Sequence, residues 1–340
     1  MKAKGLFISV IALCCTMVAW AQNNQSVTAI LQHVVDGNET VKVYVGKEAF
    51  KKAYNDAVNG DVITLSSGSF DTPSPFQKEL SVYGAGYEED AETGTAVTIL
   101  NNSINIKGVE SLSNLHFEGL RLDGNIIECN IPVSNMVISK CFCKNVFFYA
   151  EQCTDIVIQQ SVITQGITGL TSGSIKTMAN NLRIKNCILS SAGHFDPSSQ
   201  GQLDHCLLLS ETNNTQYAYV YPLVYTNCVF GKKGYTVWIT GTLEYCILPY
   251  GGGAYIQSNL ILLNSSTPVF TDGDGWATSY SPDRTYTLSN PNEWIGNDGT
   301  EIGIHGGMGF SKVPSTPVIK NMTVTPEGKK IKVNYETNVR

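Results

Sequence analysis

The chain has 340 residues, of which only 15% are charged and 31 are glycine, a composition that suits many short strands and turns rather than long helices. Its formal net charge is −6, and removal of the stretch from Met1 to Ala21, which includes Lys2 and Lys4, brings the charge near −8. A negative charge of this size argues against nucleic acid as a partner, because phosphate backbones attract basic proteins.

The stretch from Met1 to Ala21 has the pattern of a secretory signal peptide. Lysines precede an apolar run from Leu6 to Val18, and the small-x-small cleavage signal Ala19-Trp20-Ala21 follows. The run is shorter than the roughly 20 residues that a spanning helix needs, and no later run is long enough, so no transmembrane segment is expected. We therefore expect export to the periplasm, the cell surface or the medium. Lipidation at Cys14 or Cys15 is the alternative.

An amphipathic helix is predicted from Glu48 to Val58. Phe50, Ala53, Tyr54 and Ala57 recur at helical spacing and form an apolar stripe. This stripe suits a cap, because the end of a stack of repeats exposes its core unless another element covers it.

A pattern of apolar run, polar residue, cysteine and second apolar run then recurs along the chain, with a period of roughly 20 residues that is typical of a stacked solenoid. The polar position holds Gly119, Lys140, Gln160, Asn186, His205, Asn227, Tyr245 and Asn259. The position after it holds Leu120, Cys141, Ser161, Cys187, Cys206, Cys228, Cys246 and Leu260. Polar and apolar residues alternate before each polar position, as strands do. The repeat therefore predicts an all-β parallel β-helix, with a bend at the polar residue and the next side chain facing inward.

Eight cysteines follow the signal peptide, at Cys129, Cys141, Cys143, Cys153, Cys187, Cys206, Cys228 and Cys246. An even number in an exported protein permits disulfides, and cysteines in adjacent coils would be close enough to pair. A metal or redox ladder is disfavoured because no Cys-x-x-Cys pair occurs. Packing as small apolar side chains is favoured, since disulfide-dense scaffolds are small domains that lack a core. The sequence leaves the disulfide state open.

Two stretches resemble secreted proteins of the pectin-lyase-like superfamily. EAFKKAYNDAVNGDVITLSSGSF (48–70) looks like the start of their solenoid, where a short helix precedes the first coil. YTLSNPNEWIGNDGTEIGIHGG (286–307) is similar to the closing segment of β-helix proteins of the Bacteroidetes type. The resemblance implies a right-handed parallel β-helix, which we place at residues 22–310 with its cap. It implies no single activity, because one fold hosts many functions.

Lyases of this superfamily act on acidic polysaccharides at the outer face of the first sheet, with Lys or Arg as the base. The repeat places on that face His116 and Glu118, Val137 and Ser139, Val157 and Gln159, Arg183 and Lys185, Gln202 and Asp204, Val224 and Thr226, and Thr242 and Glu244. Lys185 and Arg183 have the chemical types that β-elimination needs, and Asp204 follows one coil later. The candidate catalytic residues are therefore Lys185, Arg183 and Asp204. A solvated ion pair between Lys185 and Asp204 is the plainer interpretation.

A loop longer than its neighbours, AGHFDPSSQGQLDH (192–205), contributes His194 and Asp196 as candidate substrate-binding residues. A hydrolase would need two carboxylates, for which Asp196 and Asp204 are the nearest pair. His205 occupies a bend position, where a role in the turn is expected.

Tyrosines alternate in QYAYVYPLVY (216–225), so Tyr217, Tyr219 and Tyr221 share one face of an extended segment. Sugars stack on tyrosine rings, which makes these three candidate substrate-binding residues; packing under a loop is the alternative. No metal site is predicted. The sequence DGDG (272–275) resembles a fragment of a calcium loop but lacks the remaining oxygen ligands, so calcium is not supported as a cofactor.

Residues 311–340 comprise a linker and a predicted β-hairpin around TPEGK. Three functions fit this sequence. The first is non-catalytic binding of a polysaccharide or cell-surface glycan by the lateral face of the solenoid. The second is a polysaccharide lyase or hydrolase, and the third is a structural or adhesive surface protein. The missing catalytic signatures favour binding.

Overall fold

The computed structural model describes twelve stretches of the chain, and the structural statements below concern these residues. The stretches are 27–35, 38–169, 171–172, 175–193, 195–196, 198–209, 223–232, 242–249, 256–264, 266–315, 318–327 and 330–338. The predicted signal peptide lies outside them.

A twelve-stranded sheet, the long sheet, runs the length of the described fold. Its strands are β1 (Thr28–Val35), β2 (Asn38–Val45), β3 (Val62–Leu65), β5 (Ser81–Tyr83), β8 (Leu112–Glu118), β10 (Val133–Ser139), β12 (Gln152–Gln159), β16 (Met178–Lys185), β18 (Gly201–Asp204), β20 (Val224–Thr226), β22 (Thr242–Glu244) and β24 (Ile256–Ser258). They lie in the order β2-β1-β3-β5-β8-β10-β12-β16-β18-β20-β22-β24. From β3 onward every neighbouring pair is parallel, so the chain returns to this sheet once in each coil.

A nine-stranded second sheet takes the other strand of each coil. Its strands are β7 (Ile104–Ile106), β9 (Ile126–Cys129), β11 (Phe142–Phe148), β13 (Val162–Gly169), β17 (Ile188–Gly193), β19 (Leu207–Leu208), β21 (Val229–Phe230), β23 (Ile247–Pro249) and β25 (Ile261–Leu263), and they neighbour one another in this order. Three small pairs complete the strands: β4 (Gly68–Phe70) with β6 (Thr98–Leu100), β14 (Thr171–Ser172) with β15 (Ile175–Lys176), and β26 (Val318–Glu327) with β27 (Lys330–Asn338). The prediction of an all-β parallel solenoid is confirmed.

The eight polar positions of the repeat form one column of bends, which we call the bend column. Each of them has a left-handed backbone with φ between 46° and 68°: Gly119, Lys140, Gln160, Asn186, His205, Asn227, Tyr245 and Asn259. A left-handed residue turns the chain sharply between two strands, and asparagine and glycine tolerate it best. The predicted role of His205 as a bend residue is confirmed.

The residue after each bend points into the tube, and at five of the eight bends it is a cysteine. All eight described cysteines are buried free thiols. The thiol of Cys206 donates to the carbonyl oxygens of Asp204 (3.4 Å) and Ile184 (3.5 Å), and Ser161 donates in the same way to Gln159 (2.8 Å). A small side chain with one donor therefore fills the corner and adds a second hydrogen bond to carbonyl oxygens such as those of Asp204 and Gln159, which also accept a backbone N–H from the adjacent coil.

The first coil is closed by more structure than the sequence indicated. The predicted cap is confirmed as helix α1 (Ala49–Asp56), which buries Phe50, Ala53 and Tyr54. In addition, β1 and β2 form a hairpin that pairs antiparallel with β3, with Ala29 opposite Leu65. The hairpin covers a sheet edge that would otherwise offer unpaired backbone groups to another chain.

At the positions that follow the bends, both faces of the second sheet are apolar. The side chain after each cysteine points out of the tube, where Ile188, Leu207 and Val229 stack in register. They belong to a second apolar cluster with residues from the C-terminal part of the chain, among them Trp276 and Trp294. The next residues along, such as Leu189 and Leu208, belong to the main core. This double burial explains the continuous apolar runs after the bends, in contrast to the alternation before them.

Residues 296–315, which we call the return segment, run back along the bend column toward the first coils. Their contacts with the column proceed in order from Asn227 and His205 through Asn186 to Gln160. The predicted C-terminal hairpin is confirmed as the antiparallel pair β26–β27, with Val324 opposite Val333.

Candidate functional site

The lateral face of the long sheet has the register that the repeat predicts. His116 and Glu118 pair with Val137 and Ser139, and the two columns continue in order through Arg183 and Lys185 to Thr242 and Glu244. Equivalent side chains therefore recur every coil, about 4.8 Å apart. Arg183 and Gln202 are exposed, and Val157, Gln159, Lys185 and Asp204 around them are half-buried, so this part of the face is open to a ligand.

The three candidate catalytic residues lie together. Arg183 pairs in register with Gln202, and Lys185 pairs with Asp204 in the next coil. Nε of Arg183 donates to Oδ1 of Asn181 at 2.8 Å, which holds the guanidinium along its own strand. The backbone part of the prediction, that Asp204 lies beside Lys185, is confirmed.

The expected ion pair between Lys185 and Asp204 is not formed in the described structure. Instead, Oδ1 of Asp204 accepts a hydrogen bond from Nδ2 of Asn227 at 3.0 Å and lies 3.9 Å from Nε2 of His205. The carboxylate thus leans toward the bend column, where a buried amide needs an acceptor. Lys185 makes no ion pair within the described residues, so its amine is left for another group.

His205 is buried under the return segment, at 1% exposure. Its Nδ1 lies 3.1 Å from the carbonyl oxygen of Gly303, and its Nε2 lies 3.1 Å from Oδ2 of Asp298. Gly306 and Gly307 press against the ring, and a Cβ on Gly306 would lie 2.6 Å from it. This contact explains the paired glycines of IHGG and removes His205 from any role that needs contact with a substrate.

The other candidate binding residues are placed only in part. Asp196 closes a local turn by accepting hydrogen bonds from the backbone N–H (2.9 Å) and hydroxyl (2.5 Å) of Ser198. His194 and the three tyrosines Tyr217, Tyr219 and Tyr221 lie outside the described residues, so their binding roles stay predictions. Tyr225, at the end of the tyrosine-rich stretch, is fully buried in the core.

A buried carboxylate marks the other end of the face, and sequence reasoning assigned it no role. Glu118 is 4% exposed; its Oε1 accepts hydrogen bonds from the N–H and hydroxyl of Ser315, both at 2.6 Å, and lies 3.9 Å from Nζ of Lys140. His116 stands 3.3 Å from Oε2. Burial raises the pKa of Glu118, but His116, Ser315 and Lys140 outweigh burial and lower it to about 2. Glu118 anchors the end of the return segment.

The calcium-like fragment is occupied by protein groups. Both Oδ1 and the carbonyl oxygen of Asp272 accept hydrogen bonds from Arg284, at 2.7 and 3.1 Å, and Oδ2 accepts from the backbone N–H groups of Thr285 and Tyr286. Burial raises the pKa of Asp272, but these donors outweigh burial and hold the pKa below its usual value. The carboxylate therefore closes a loop of the protein. The described residues contain no group of three or more His, Cys, Asp or Glu arranged to hold a metal ion.

The chain matches none of the protein-family models, curated proteins or solved structures with which it was compared. In the described part of the chain, no helix combines the length and the apolar character that crossing a membrane requires.

Proposed function

We propose that this chain is an exported, non-catalytic β-helix protein that binds an acidic glycan or another cell-surface component through the lateral face of the long sheet. The proposal includes membership of the pectin-lyase-like superfamily, of the type found in Bacteroidetes, on the strength of the resemblance at residues 48–70 and 286–307. The signal peptide would direct export across the inner membrane, and its cleavage would release residues 22–340.

The observation that carries this proposal is the open cationic pair on a regular polar face. Arg183 is exposed, and Lys185 has no carboxylate partner within the described residues. Amide side chains flank them in the coils on either side, at Gln159 and Gln202. A sugar chain lying along the solenoid would cross this cationic coil and the amide side chains of the adjacent coils. The two cations would pair with its carboxylates.

A second candidate is cleavage of the bound glycan by β-elimination. The free amine of Lys185 favours it, because a base must reach the proton next to the carboxylate of the sugar. Few other groups could assist Lys185 in catalysis, since His205 is buried under the return segment and Asp204 accepts a hydrogen bond from Asn227. Binding without cleavage therefore fits the geometry better.

The test is affinity electrophoresis of residues 22–340 in gels that contain alginate, polygalacturonate or hyaluronate, with ultraviolet absorbance of the same mixtures to detect unsaturated products. We expect retardation without product, and about tenfold weaker binding for Arg183→Ala or Lys185→Ala, because a charge-assisted hydrogen bond is lost. Gln202→Ala removes an exposed, uncharged side chain from the same face and should weaken binding less, which separates loss of charge from loss of a side chain.

Three outcomes would go against binding without cleavage. Retardation that both alanine variants retain would show that another surface binds the glycan. An absorbance rise that Lys185→Ala abolishes would establish a lyase. No retardation in any of the three gels would favour the structural or adhesive role over glycan binding.

A further inference from the structure

A pair of aromatic side chains lies on the outside of the second sheet, away from the lateral face. Phe147 and Tyr149 are two residues apart on the same side of the strand, with ring centroids 5.4 Å apart and planes inclined by 32°. Phe148 between them is buried in the core, which directs its neighbours outward. Tyr149 is 36% exposed, and Phe147 is half-buried.

Neither ring is fully buried within the described structure. Elsewhere the outer surface of the second sheet is buried under C-terminal residues, as at Ile188 and Leu207. Phe147 and Tyr149 belong neither to that cluster nor to the main core. Exposed aromatic rings are costly to keep in water, and their burial on a ligand is favourable.

Polar groups with free hydrogen-bonding capacity border the rings. Glu128 lies directly beside Phe147 in the adjacent strand and makes no hydrogen bond or ion pair within the described residues. Asn105 lies beside Glu128 in the strand before. Nδ2 of Asn130 donates to Oδ1 of Asn105 at 3.0 Å, which leaves the Asn130 oxygen and the Asn105 amino group for a ligand.

The chemistry of this patch selects its ligand. Flat rings pack against the C–H face of a sugar, while carboxylate and amide groups at the edge bond its hydroxyls. A carboxylate and the electron-rich ring faces repel an anion, so an acidic sugar is disfavoured at this place. The Tyr149 phenol can donate to a ligand; burial and the nearby Glu128 carboxylate both raise its pKa.

We propose that Phe147 and Tyr149, with Glu128, Asn105 and Asn130 at their edge, form a binding platform for an uncharged sugar. The platform is separate from the lateral face in position and in ligand charge. The proposal for this platform does not depend on whether the lateral face binds an acidic glycan.

The experiment is affinity electrophoresis of residues 22–340 in gels containing hydroxyethylcellulose, mannan, xylan or glycogen, one at a time. We expect retardation by at least one of these uncharged polysaccharides. Tyr149→Ala and Phe147→Ala should each weaken it about tenfold, the size expected when one ring stack is lost. Tyr149→Phe keeps the ring and should retain most of the binding. Glu128→Gln keeps the shape of the side chain and removes its charge, so it tests whether the carboxylate contributes to binding.

Controls separate this platform from the acidic-glycan face and from misfolding. Arg183→Ala should leave binding of the uncharged polysaccharide unchanged, and each variant must keep the far-ultraviolet dichroism of the parent. Retardation that survives both Tyr149→Ala and Phe147→Ala would overturn the proposal, as would no retardation in all four gels. Retardation lost only with Arg183→Ala would assign the uncharged sugar to the lateral face instead.

Discussion

Replacement of Asn186 tests how the return segment is held to the solenoid. Asn186 is 2% exposed and has φ 46°, and its Nδ2 donates to the carbonyl oxygens of Ile304 (2.9 Å) and Gly306 (2.8 Å). Asn186→Ala removes both hydrogen bonds, at about 1 kcal/mol each. It also places alanine in a left-handed backbone, at about 1 kcal/mol more. We expect a loss of about 3 kcal/mol in the free energy of unfolding.

Two further variants separate these contributions. Asn186→Gly loses the same hydrogen bonds without the left-handed cost, so we expect about 2 kcal/mol. Asn259→Ala is the matched control for the backbone, because Asn259 has φ 51° on the same column but is exposed and makes no described side-chain hydrogen bond; we expect about 1 kcal/mol.

The assay is urea unfolding followed both by far-ultraviolet dichroism and by tryptophan fluorescence. Trp276 and Trp294 belong to the C-terminal part of the chain and pack in the second apolar cluster with side chains of the second sheet. Their emission therefore reports on the release of the C-terminal part from that sheet. The reasoning fails if Asn186→Ala costs no more than Asn259→Ala, or if Asn186→Gly is as stable as the parent. Either result would mean that the two hydrogen bonds to the return segment contribute nothing net.

Two other predictions concern groups inside the fold. Burial raises the pKa of the Cys141 and Cys153 thiols to about 12, and all eight described cysteines are buried free thiols. A thiol-specific reagent should therefore label none of them in the folded chain and all eight in unreduced, denatured chain; a lower count would establish disulfides. The pKa of Glu118 is about 2 in the folded chain, against an ordinary 4.5. The ionised carboxylate therefore stabilises the fold fully above pH about 4.5, and this stabilisation is lost as the pH falls toward 2. Glu118→Gln should then show a flatter loss of stability across that pH range, by up to about 3 kcal/mol, and an unchanged slope would contradict the assignment.

The repeat made much of the fold predictable. Every coil places equivalent residues in equivalent surroundings, so eight examples of one pattern identified the bends, the inward cysteines and the register of Lys185 beside Asp204. The capping helix was predictable for a related reason, because its apolar stripe follows from local spacing alone. In each case the physical signal lies within a stretch of sequence no longer than one coil.

What the sequence did not reveal depends on contacts between distant residues. Asn186 donates hydrogen bonds to Ile304 and Gly306 of the return segment, which lie 118 and 120 positions further along the chain. No periodicity in the sequence marks these partners. The lean of Asp204 toward Asn227, rather than toward Lys185, depends on side-chain geometry that a register cannot give. The Phe147 and Tyr149 pair was missed because its partner residues come from other coils.

The return segment changes how the solenoid can fold and come apart. A stack of coils joined only to nearest neighbours can fray one coil at a time from either end. Here Ser315 is hydrogen-bonded to Glu118 and Asn297 to Asn227, so one short stretch of chain spans coils that are otherwise several layers apart. Opening a coil at either end of this span therefore also disturbs the coils between them, which favours cooperative unfolding. During synthesis these contacts form last, because the return segment follows in sequence every coil that it contacts.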